Sequence, residues 1–305
     1  MTITVLCGGV GAARLVRGLI EVVDPAEITA VVNVGDDTEL HGLHVSPDLD
    51  TIVYTLADAI DPDRGWGLRD ETWITMSELG RYGNPTWFNL GDRDLATHIV
   101  RTERLRRGEP LSDVTAHVAA SWGLGCQVLP VTDDRLRTMV TVDGEEIGFQ
   151  EYFVGRQHDV DVERVRFSGA AAATPAPGVL DAIRTSSRIV IAPSNPVVSI
   201  DPLLAVPGVR DAVETRREDT VAVSPIVAGA ALKGPAARLL RNLGRDATAV
   251  GVAELYAPLA GTLVIDDADA ALAPRIESTG MRCIVTDTVM RDVERASALA
   301  SVVAA

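Results

Sequence analysis

The alternation of short apolar runs with segments of helical periodicity constrains the fold of this chain more than any other feature. The run 3–6 (Ile-Thr-Val-Leu) is followed by a glycine-rich turn and then by residues 12–23, whose leucines and valines recur at helical spacing. A second apolar run covers 28–34, and similar units recur toward the C-terminus. This pattern is typical of a mostly parallel sheet covered by helices. The sequence therefore predicts an α/β fold.

One segment interrupts the alternation. Residues 138–142 (TMVTV), the pair Asp143-Gly144 and the stretch 147–154 (IGFQEYFV) have the pattern of a β-hairpin. We therefore expect a small antiparallel addition at 136–167, inserted into a core that is formed by 1–135 and 168–305. An exposed hairpin edge tends to pair with another chain, so this addition is a candidate contact in a homodimer.

The charge of the chain limits the classes of ligand. The 43 acidic and 28 basic residues give a net charge of −15, and the acids are scattered rather than gathered in a tail. This disfavours a general binder of nucleic acid or of anionic membranes, so an anionic ligand needs a local pocket of arginine, backbone N–H groups or metal. No run of 18 apolar residues and no secretory leader pattern occurs. The sequence therefore predicts a cytoplasmic protein without a membrane segment.

A glycine-rich turn links the first predicted strand to the first predicted helix. It contains Gly8, Gly9 and Gly11, and in this context the backbone N–H groups and the helix N-terminus can face a phosphate. The dinucleotide fingerprint is incomplete, because Arg14 stands where a small residue is needed. A P-loop is excluded, because the Gly-Lys-Ser/Thr ending is missing. The alternative is a tight turn that needs glycine only for its backbone angles.

Acidic residues lie at the ends of the next predicted elements. Asp36 and Asp37 follow the second strand, while Asp48 and Asp50 fall in the first turn of a helix that begins after Ser46-Pro47. Such carboxylates suit Mg²⁺, which takes one or two of them and completes its shell with water and phosphate oxygens. The alternative is that acids in a first turn only favour the helix dipole. For Asp61, a solvated turn is the simpler interpretation.

Three further segments carry polar or aromatic side chains that could contact a ligand. Arg93, in Gly-Asp-Arg-Asp, has a guanidinium suited to a phosphate or an acid group, although a salt-bridged helix start is equally consistent with the pattern. His98, one helical turn later, is more typical of a core histidine than of a catalyst. Ser194-Asn195 and Ser224 follow predicted strands, where they can contact a base or ribose or simply form turns. Trp66 lies between glycines that would permit close approach of a flat ring.

Taken together and in order, a series of segments resembles the 2-phospholactate/phosphoenolpyruvate transferase family of coenzyme F-420 synthesis. The resemblance runs in order from the first predicted strand to the last predicted helix, and the C-terminal third matches in its pattern of strands and turns. The segments are CGGVGAARLVRGL, VVNVGDD, SPDLDTIVYTLAD, WGLRDET, NLGDRDLATHIVRTERLRRGEPLSD, LPVTDD, FQEYFVG, APSNPVVSI, VSPIVAG and GPAARLL.

The resemblance implies a Rossmann-like fold with helices on both faces of the sheet and a dimeric assembly. It also implies a Mg²⁺-assisted reaction that transfers a phosphorylated three-carbon acid from enolpyruvyl- or lactyl-diphosphoguanosine to the ribityl hydroxyl of the deazaflavin Fo, with release of GMP. The composition, rich in arginine and poor in lysine, is similar to that of actinobacterial members, which favours the enolpyruvyl donor.

The resemblance also implies roles for individual residues. Asp50, supported by Asp48 or Asp61, would bind Mg²⁺ and face the acceptor, while Arg93 would orient the deazaflavin or the transferred group. Contacts with the nucleotide or the deazaflavin would come from Gly8, Gly9, Gly11, Asn33, Asp37, Trp66, Ser194, Asn195 and Ser224.

Two other classes of protein compete with this interpretation. UDP-sugar-binding regulators of gluconeogenesis share the GG-x-G start and the paired aspartates, but their continuation after the aspartates is rich in glycine and serine. Here Thr-Glu-Leu-His-Gly follows instead. An NAD-dependent oxidoreductase is supported by Asp36 after the second strand and is opposed by Arg14.

Overall fold

The fold is built around one mostly buried parallel sheet in a computed structural model that describes residues 1–231 and 234–305. In chain order the strands are β1 (Ile3–Cys7), β2 (Ile28–Val32), β3 (Thr38–Leu40), β4 (Leu43–Val45), β5 (Gln127–Pro130), β6 (Arg137–Val142), β7 (Glu145–Gly148), β8 (Arg164–Ser168), β9 (Arg188–Ile191), β10 (Thr220–Val223), β11 (Ile226–Val227), β12 (Ala230–Ala231), β13 (Thr262–Ile265) and β14 (Arg282–Val285).

Helices connect most of these strands. They are α1 (Gly9–Val22), α2 (Pro47–Leu56), α3 (Ile74–Arg81), α4 (Asp94–Arg106), α5 (Leu111–Ser121), α6 (Val179–Thr185), α7 (Asp201–Leu204), α8 (Val209–Thr215), α9 (Ala236–Asn242), α10 (Ala249–Tyr256), α11 (Ala273–Glu277) and α12 (Val293–Ala304). None of the helices in the described part of the chain has the length and apolar character needed to cross a membrane.

The order of strands in the main sheet explains where a ligand can bind. The order is β14-β13-β10-β9-β1-β2-β5, and each neighbouring pair is parallel. From β1 the chain winds outward to β2 and β5, and from β9 it winds the other way to β14. Since such crossovers are right-handed, the two directions place helices on opposite faces of the sheet. The predicted Rossmann-like α/β fold is confirmed, and its topological switch point lies between β1 and β9.

The sheet is packed tightly against its first and last helices. All five residues of β1 are buried, and α1 packs on both α2 and α12. A Cβ on Gly18 would lie 2.3 Å from the carbonyl oxygen of Ala296. Glycine is therefore required where α1 and α12 cross, because any side chain there would push the two helices apart.

The antiparallel addition differs in part from the predicted hairpin. Strands β6 and β7 form the expected hairpin, and β8 pairs with the other edge of β6 to make a three-stranded sheet. The stretch 149–154 was expected to continue the hairpin, but Glu151–Gly155 forms a helical turn. Phe149, Tyr152 and Phe153 then share one face. The rings of Phe149 and Phe153 stack with their centroids 5.5 Å apart, and Tyr152 is fully buried. Burial of these aromatic rings favours the helical turn over alternation.

Candidate active site

A cavity of about 670 Å³ opens at the carboxyl ends of β1 and β9, at the switch point of the sheet. Three regions of the chain form its walls. The glycine-rich turn after β1 meets the loop after β9, the first turn of α2 provides acidic side chains, and aromatic residues from 64–88 and 149–154 form the far wall. This is the place where open α/β sheets bind their ligands.

The glycine-rich turn is held against the loop after β9. The Ser194 hydroxyl donates to the carbonyl oxygen of Gly8 at 2.9 Å and accepts from its N–H at 3.3 Å. Gly9 has a φ of +74°, and a Cβ on Gly11 would lie 2.6 Å from the carbonyl oxygen of Pro193. Only glycine fits this close approach, which leaves the N-terminus of the 14-residue helix α1 facing the cavity. Such an N-terminus favours an anion such as phosphate.

Asp36 and Asp48 form what we call the inner acid group, next to the glycine-rich turn. Both carboxylates are buried and line the cavity. Asn33, which is fully buried, donates from Nδ2 to Asp48 Oδ2 at 2.9 Å and accepts at Oδ1 from the N–H of Gly35. Among the residues that the structure describes, no arginine or lysine forms an ion pair with Asp36 or Asp48.

Burial raises the pKa values of both carboxylates in the inner acid group. Burial raises the pKa of Asp48 to about 6, against hydrogen bonds from Asn33 and Gly9 that lower it. Burial, and then the charge of Asp48, raise the pKa of Asp36 well above its usual value. Asp36 Oδ1 is buried and has no hydrogen-bond partner in the part of the chain that the structure describes. Two hard carboxylate ligands with an unpartnered oxygen are the donor set that a divalent cation such as Mg²⁺ prefers.

Asp50, Asp94, His98 and Arg101 form the outer acid group, on the other side of the first turn of α2. The guanidinium of Arg101 donates to both oxygens of Asp50, from Nη1 to Oδ2 at 3.1 Å and from Nη2 to Oδ1. Asp50 is 5% exposed and Arg101 is 2% exposed. This is a bidentate, buried ion pair between α2 and α4. The outer acid group therefore contains its own cation, whereas none of the residues described at 1–231 and 234–305 pairs as a cation with the inner one.

His98 connects the two carboxylates of the outer acid group. Arg101 Nη1 lies 3.2 Å from His98 Nδ1, and since arginine only donates, Nδ1 accepts and the ring hydrogen is assigned to Nε2. Nε2 lies 3.2 Å from Asp94 Oδ2, within ion-pair distance but outside hydrogen-bond alignment. Tyr54 donates to Asp94 Oδ1 at 2.7 Å. Ligand atoms of Asp50, Asp94 and His98 lie within 4.8 Å of one another, but both nitrogens of His98 already face partners.

In the outer acid group, neighbouring side chains oppose the effect of burial on the pKa values of the carboxylates. Burial raises the pKa of Asp50, while the charges of Arg101 and His98 limit the rise. For Asp94 burial acts in the same direction, but His98 and the hydroxyl of Tyr54 outweigh it, so the pKa of Asp94 lies below its usual value.

The far wall of the cavity is aromatic. Trp66 and Trp87 are 44% and 39% exposed, and Phe149 and Phe153 also line the cavity. The guanidinium carbon of Arg64 lies 5.4 Å from the ring centroid of Trp66, and 5.2 Å from that of Trp73 outside the cavity. A flat, largely apolar ligand can bury its ring against this wall.

Comparison with known proteins decides between the classes considered from sequence. The model of the family described as 2-phospho-L-lactate transferase CofD matches residues 3–301. The chain belongs to this family.

Relatives of the same length carry a related name. A phosphoenolpyruvate transferase of Streptomyces griseus subsp. griseus is 46% identical over 306 residues, covering 98% of this chain and 96% of the relative. A phosphoenolpyruvate transferase of Mycolicibacterium smegmatis is 42% identical over 315 residues, with the same coverage. The predicted membership in the transferase family is confirmed, and the regulator alternative is not favoured.

Solved structures show the same fold at low identity. A crystal structure of a UPF0052 family protein from Bacillus halodurans matches with a TM-score of 0.64 and 17% identity, covering 100% of this chain and 98% of that one. At this identity the match supports the fold alone.

Several residues predicted for the site lie in the cavity of this CofD-family chain. Asn195 projects an amide nitrogen, Nδ2, that has no hydrogen-bond partner, while its Oδ1 accepts from the N–H of Val197. The predicted residues that line the cavity are Gly8, Gly9, Gly11, Asp48, Asp50, Trp66, Ser194 and Asn195.

Other predicted residues do not line the cavity, and Asp61 and Arg93 are the two whose proposed roles lose support. Asp61 accepts hydrogen bonds from the N–H groups of Asp63 and Arg64 and forms an ion pair with the Arg64 guanidinium. Its carboxylate therefore stabilises the turn at 61–64. Arg93 is exposed, and its guanidinium donates to the carbonyl oxygen of Arg69. This arrangement supports neither a metal role for Asp61 nor a substrate contact for Arg93.

Three more predicted residues, which lie outside the cavity lining, form hydrogen bonds within the protein. Asn33 supports Asp48 as described above. Asp37 Oδ2 accepts from the hydroxyl of Ser46 at 2.7 Å and lies 2.9 Å from His44 Nε2. The Ser224 hydroxyl donates to the carbonyl oxygen of Ile226 and so forms a turn of its own.

The sequence interpretation missed the arginine of the outer acid group. Asp94, His98 and Arg101 recur at positions i, i+4 and i+7 of α4, which places them on one helical face. A buried polar stripe on an otherwise amphipathic helix is a signal that could have identified Arg101 beside a predicted acidic partner. Asp36 of the inner acid group was noted among the early acids but was not assigned to the metal.

Proposed function

We propose that this protein transfers a phospho-acid from a guanosine diphosphate donor to the ribityl hydroxyl of the deazaflavin Fo, releasing GMP. The observation that carries the proposal is the division of one cavity into two unlike ends. One end has a phosphate-type turn and the buried acids Asp36 and Asp48, the other end is aromatic, and Asp50 also lies in the wall. A reaction that joins a charged nucleotide donor to a flat heterocycle needs this arrangement.

The donor binds at the glycine-rich turn in this proposal. Backbone N–H groups at the start of α1 receive the diphosphate, and the close contact of Gly11 with Pro193 keeps bulky side chains away. The Nδ2 of Asn195 offers a free donor to the nucleotide. These contacts position the phosphorus that carries the three-carbon acid, and positioning dominates catalysis of such transfers.

The acceptor binds at the aromatic wall. Its ring packs against the aromatic side chains of Trp66, Trp87 and Phe153, and its ribityl chain extends toward α2. The terminal hydroxyl oxygen then forms a bond to the phosphorus of the acid, and the bond from that phosphorus to the bridging oxygen of GMP breaks. Asp50 accepts a hydrogen bond from this hydroxyl, because its carboxylate keeps lone pairs that Arg101 does not use.

We also propose that Mg²⁺ is the cofactor and that the inner acid group holds it. Asp36 and Asp48 fit the ion, since they are hard carboxylate ligands whose pKa values are raised by burial, and for Asp36 also by the charge of Asp48. This assignment keeps the predicted Asp48, exchanges Asp61 for Asp36 and moves Asp50 from the metal to the acceptor. When bound there, Mg²⁺ would neutralise charge on the donor phosphates.

The identity of the acid and the assembly are finer parts of the same proposal. We favour the enolpyruvyl donor, because relatives at 42–46% identity are named phosphoenolpyruvate transferases. We also expect a cytoplasmic homodimer in which the antiparallel addition of β6, β7 and β8 supplies an edge for contact.

The test is turnover with each donor in turn. The purified protein is incubated with Fo, MgCl₂ and either enolpyruvyl- or lactyl-diphosphoguanosine, and GMP and product mass are followed. We expect dehydro-coenzyme F-420-0 from the enolpyruvyl donor at a higher kcat/KM than coenzyme F-420-0 from the lactyl donor. Tight nucleotide binding without any product would instead favour the regulator class and overturn the proposal.

A further inference from the structure

Arg101 is the largest of the fully buried side chains, and its charge needs an explanation. It lies on α4 with 2% of its surface exposed, and its bidentate partner Asp50 comes from α2. Burying such an ion pair rarely increases stability over an apolar pair of similar volume, because both ions lose their hydration. A buried pair beside a cavity is therefore better explained by what it does to the residue that faces the cavity.

The geometry shows what Arg101 does to Asp50. A planar guanidinium that donates to both oxygens fixes the carboxylate in the plane of the fork, which an ammonium group cannot do. Each carboxylate oxygen keeps one further lone pair, and Asp50 lines the cavity. The direction of the remaining lone pairs is thus set by Arg101.

The guanidinium is itself held in place. Its Nη1 also donates to His98 Nδ1 at 3.2 Å, and His98 is 1% exposed. The ring of His98 is in turn placed against Asp94, which accepts from Tyr54 at 2.7 Å. A chain of buried polar contacts therefore runs from α2 through α4 and back to α2, and it ends on Asp50, which lines the cavity.

We infer that Arg101 is a positioning residue for the transfer, which acts by holding the Asp50 carboxylate in the orientation that receives the acceptor hydroxyl. This inference rests on the proposed function. Arg101 does not line the cavity and touches neither substrate, so its effect is expected in kcat rather than in substrate affinity.

Arg101→Lys tests the inference, because it keeps the positive charge and removes the fork. We expect kcat to fall by about 10- to 100-fold, the range expected for a misplaced reacting group, with KM for both substrates changed by less than about 3-fold. The matched control is Thr102→Val. Thr102 is also buried on the same helix; its hydroxyl accepts from the N–H of His44 at 2.8 Å and donates to the backbone carbonyl of His98, but it makes no hydrogen bond to Asp50. We expect Thr102→Val to lose stability and to keep its kcat.

A double-mutant cycle separates positioning from a general structural role. If Arg101 acts through Asp50, then Arg101→Lys should cost little further activity in an Asp50→Asn background. If Arg101→Lys does not fold, Asp50→Asn/Arg101→Gln is compared with Asp50→Asn alone, and equal kcat values are expected.

Three results would overturn the inference while leaving the transferase function intact. The first is a wild-type kcat in Arg101→Lys. The second is a change of KM but not of kcat in Arg101→Lys. The third is a double variant in which the kcat losses of Arg101→Lys and Asp50→Asn multiply. A wild-type protein that forms no product with any donor would remove the proposed function, and this inference with it.

Discussion

The two acid groups that flank the first turn of α2 have opposite electrostatics, although Asp48 and Asp50 are only two residues apart. In the outer group a buried arginine compensates Asp50, and the pKa of Asp94 lies below its usual value. In the inner group burial raises the pKa of both Asp36 and Asp48, the charge of Asp48 adds to the rise for Asp36, and no cation of the described residues pairs with either. The difference teaches that folding supplies a cation to one acid group, and it is the reason why we propose that a bound cation completes the other.

The largest expected effect comes from removing the cation of the outer group. Arg101→Met should lower the free energy of unfolding by about 3–5 kcal/mol, because it leaves Asp50 buried without a partner. Urea unfolding measures this loss, and adding Asp50→Asn should restore part of it. Arg106→Met, an exposed arginine on the same helix, should cost less than about 1 kcal/mol. Equal losses of unfolding free energy in Arg101→Met and Arg106→Met would contradict the claim that Arg101 compensates the buried charge of Asp50.

Magnesium should act on the inner group alone. In the absence of substrates, MgCl₂ at 10 to 100 times its Kd should stabilise the wild type by about 1–3 kcal/mol, measured as an increase in Tm against NaCl of equal ionic strength. Asp48→Asn and Asp36→Asn should abolish this increase, whereas Asp61→Asn and Asp50→Asn should retain it. A response that is lost in Asp61→Asn and kept in Asp48→Asn would restore the metal assignment made from sequence.

A smaller effect is expected at the aromatic end of the cavity. Trp66→Ala should raise KM for Fo by about 3- to 10-fold and leave KM for the nucleotide donor unchanged, since stacking contributes about 1 kcal/mol. Steady-state kinetics with each substrate varied in turn gives both values. Tyr82→Ala is the control, because Tyr82 is 80% exposed and lies outside the cavity lining. An equal rise in KM for Fo and for the nucleotide donor would show that the aromatic end and the phosphate-binding end of the cavity are not separate.

The fold could be predicted because its signals are local and periodic. Apolar runs of four or five residues followed by helical spacing gave the parallel sheet, and Asp143-Gly144 gave the turn between β6 and β7. The helical turn at Glu151–Gly155 could not be predicted in the same way. Its aromatic residues fit both an alternating strand and an i, i+3, i+4 face, and tertiary packing decides between them.

The candidate site could be predicted only in part, because contacts between distant segments decide which side chains are free. Gly8, Asp48 and Ser194 lie at the ends of predicted elements and line the cavity. The sequence could not show that the carboxylate of Asp61 accepts hydrogen bonds within its own turn. It also could not show that the guanidinium of Arg93 donates to the carbonyl oxygen of Arg69. Nor did it show that an arginine two helical turns after Arg93 meets Asp50.

The most direct test of the central claim is whether GMP release requires the acceptor. GMP and deazaflavin product are quantified over time with the enolpyruvyl donor, with and without Fo, for the wild type and for Asp50→Asn. The account predicts one GMP for each product molecule, no GMP without Fo, and a loss of kcat of about 100-fold or more in Asp50→Asn. GMP release without Fo, or without a matching product, would contradict the claim that one cavity joins the two substrates.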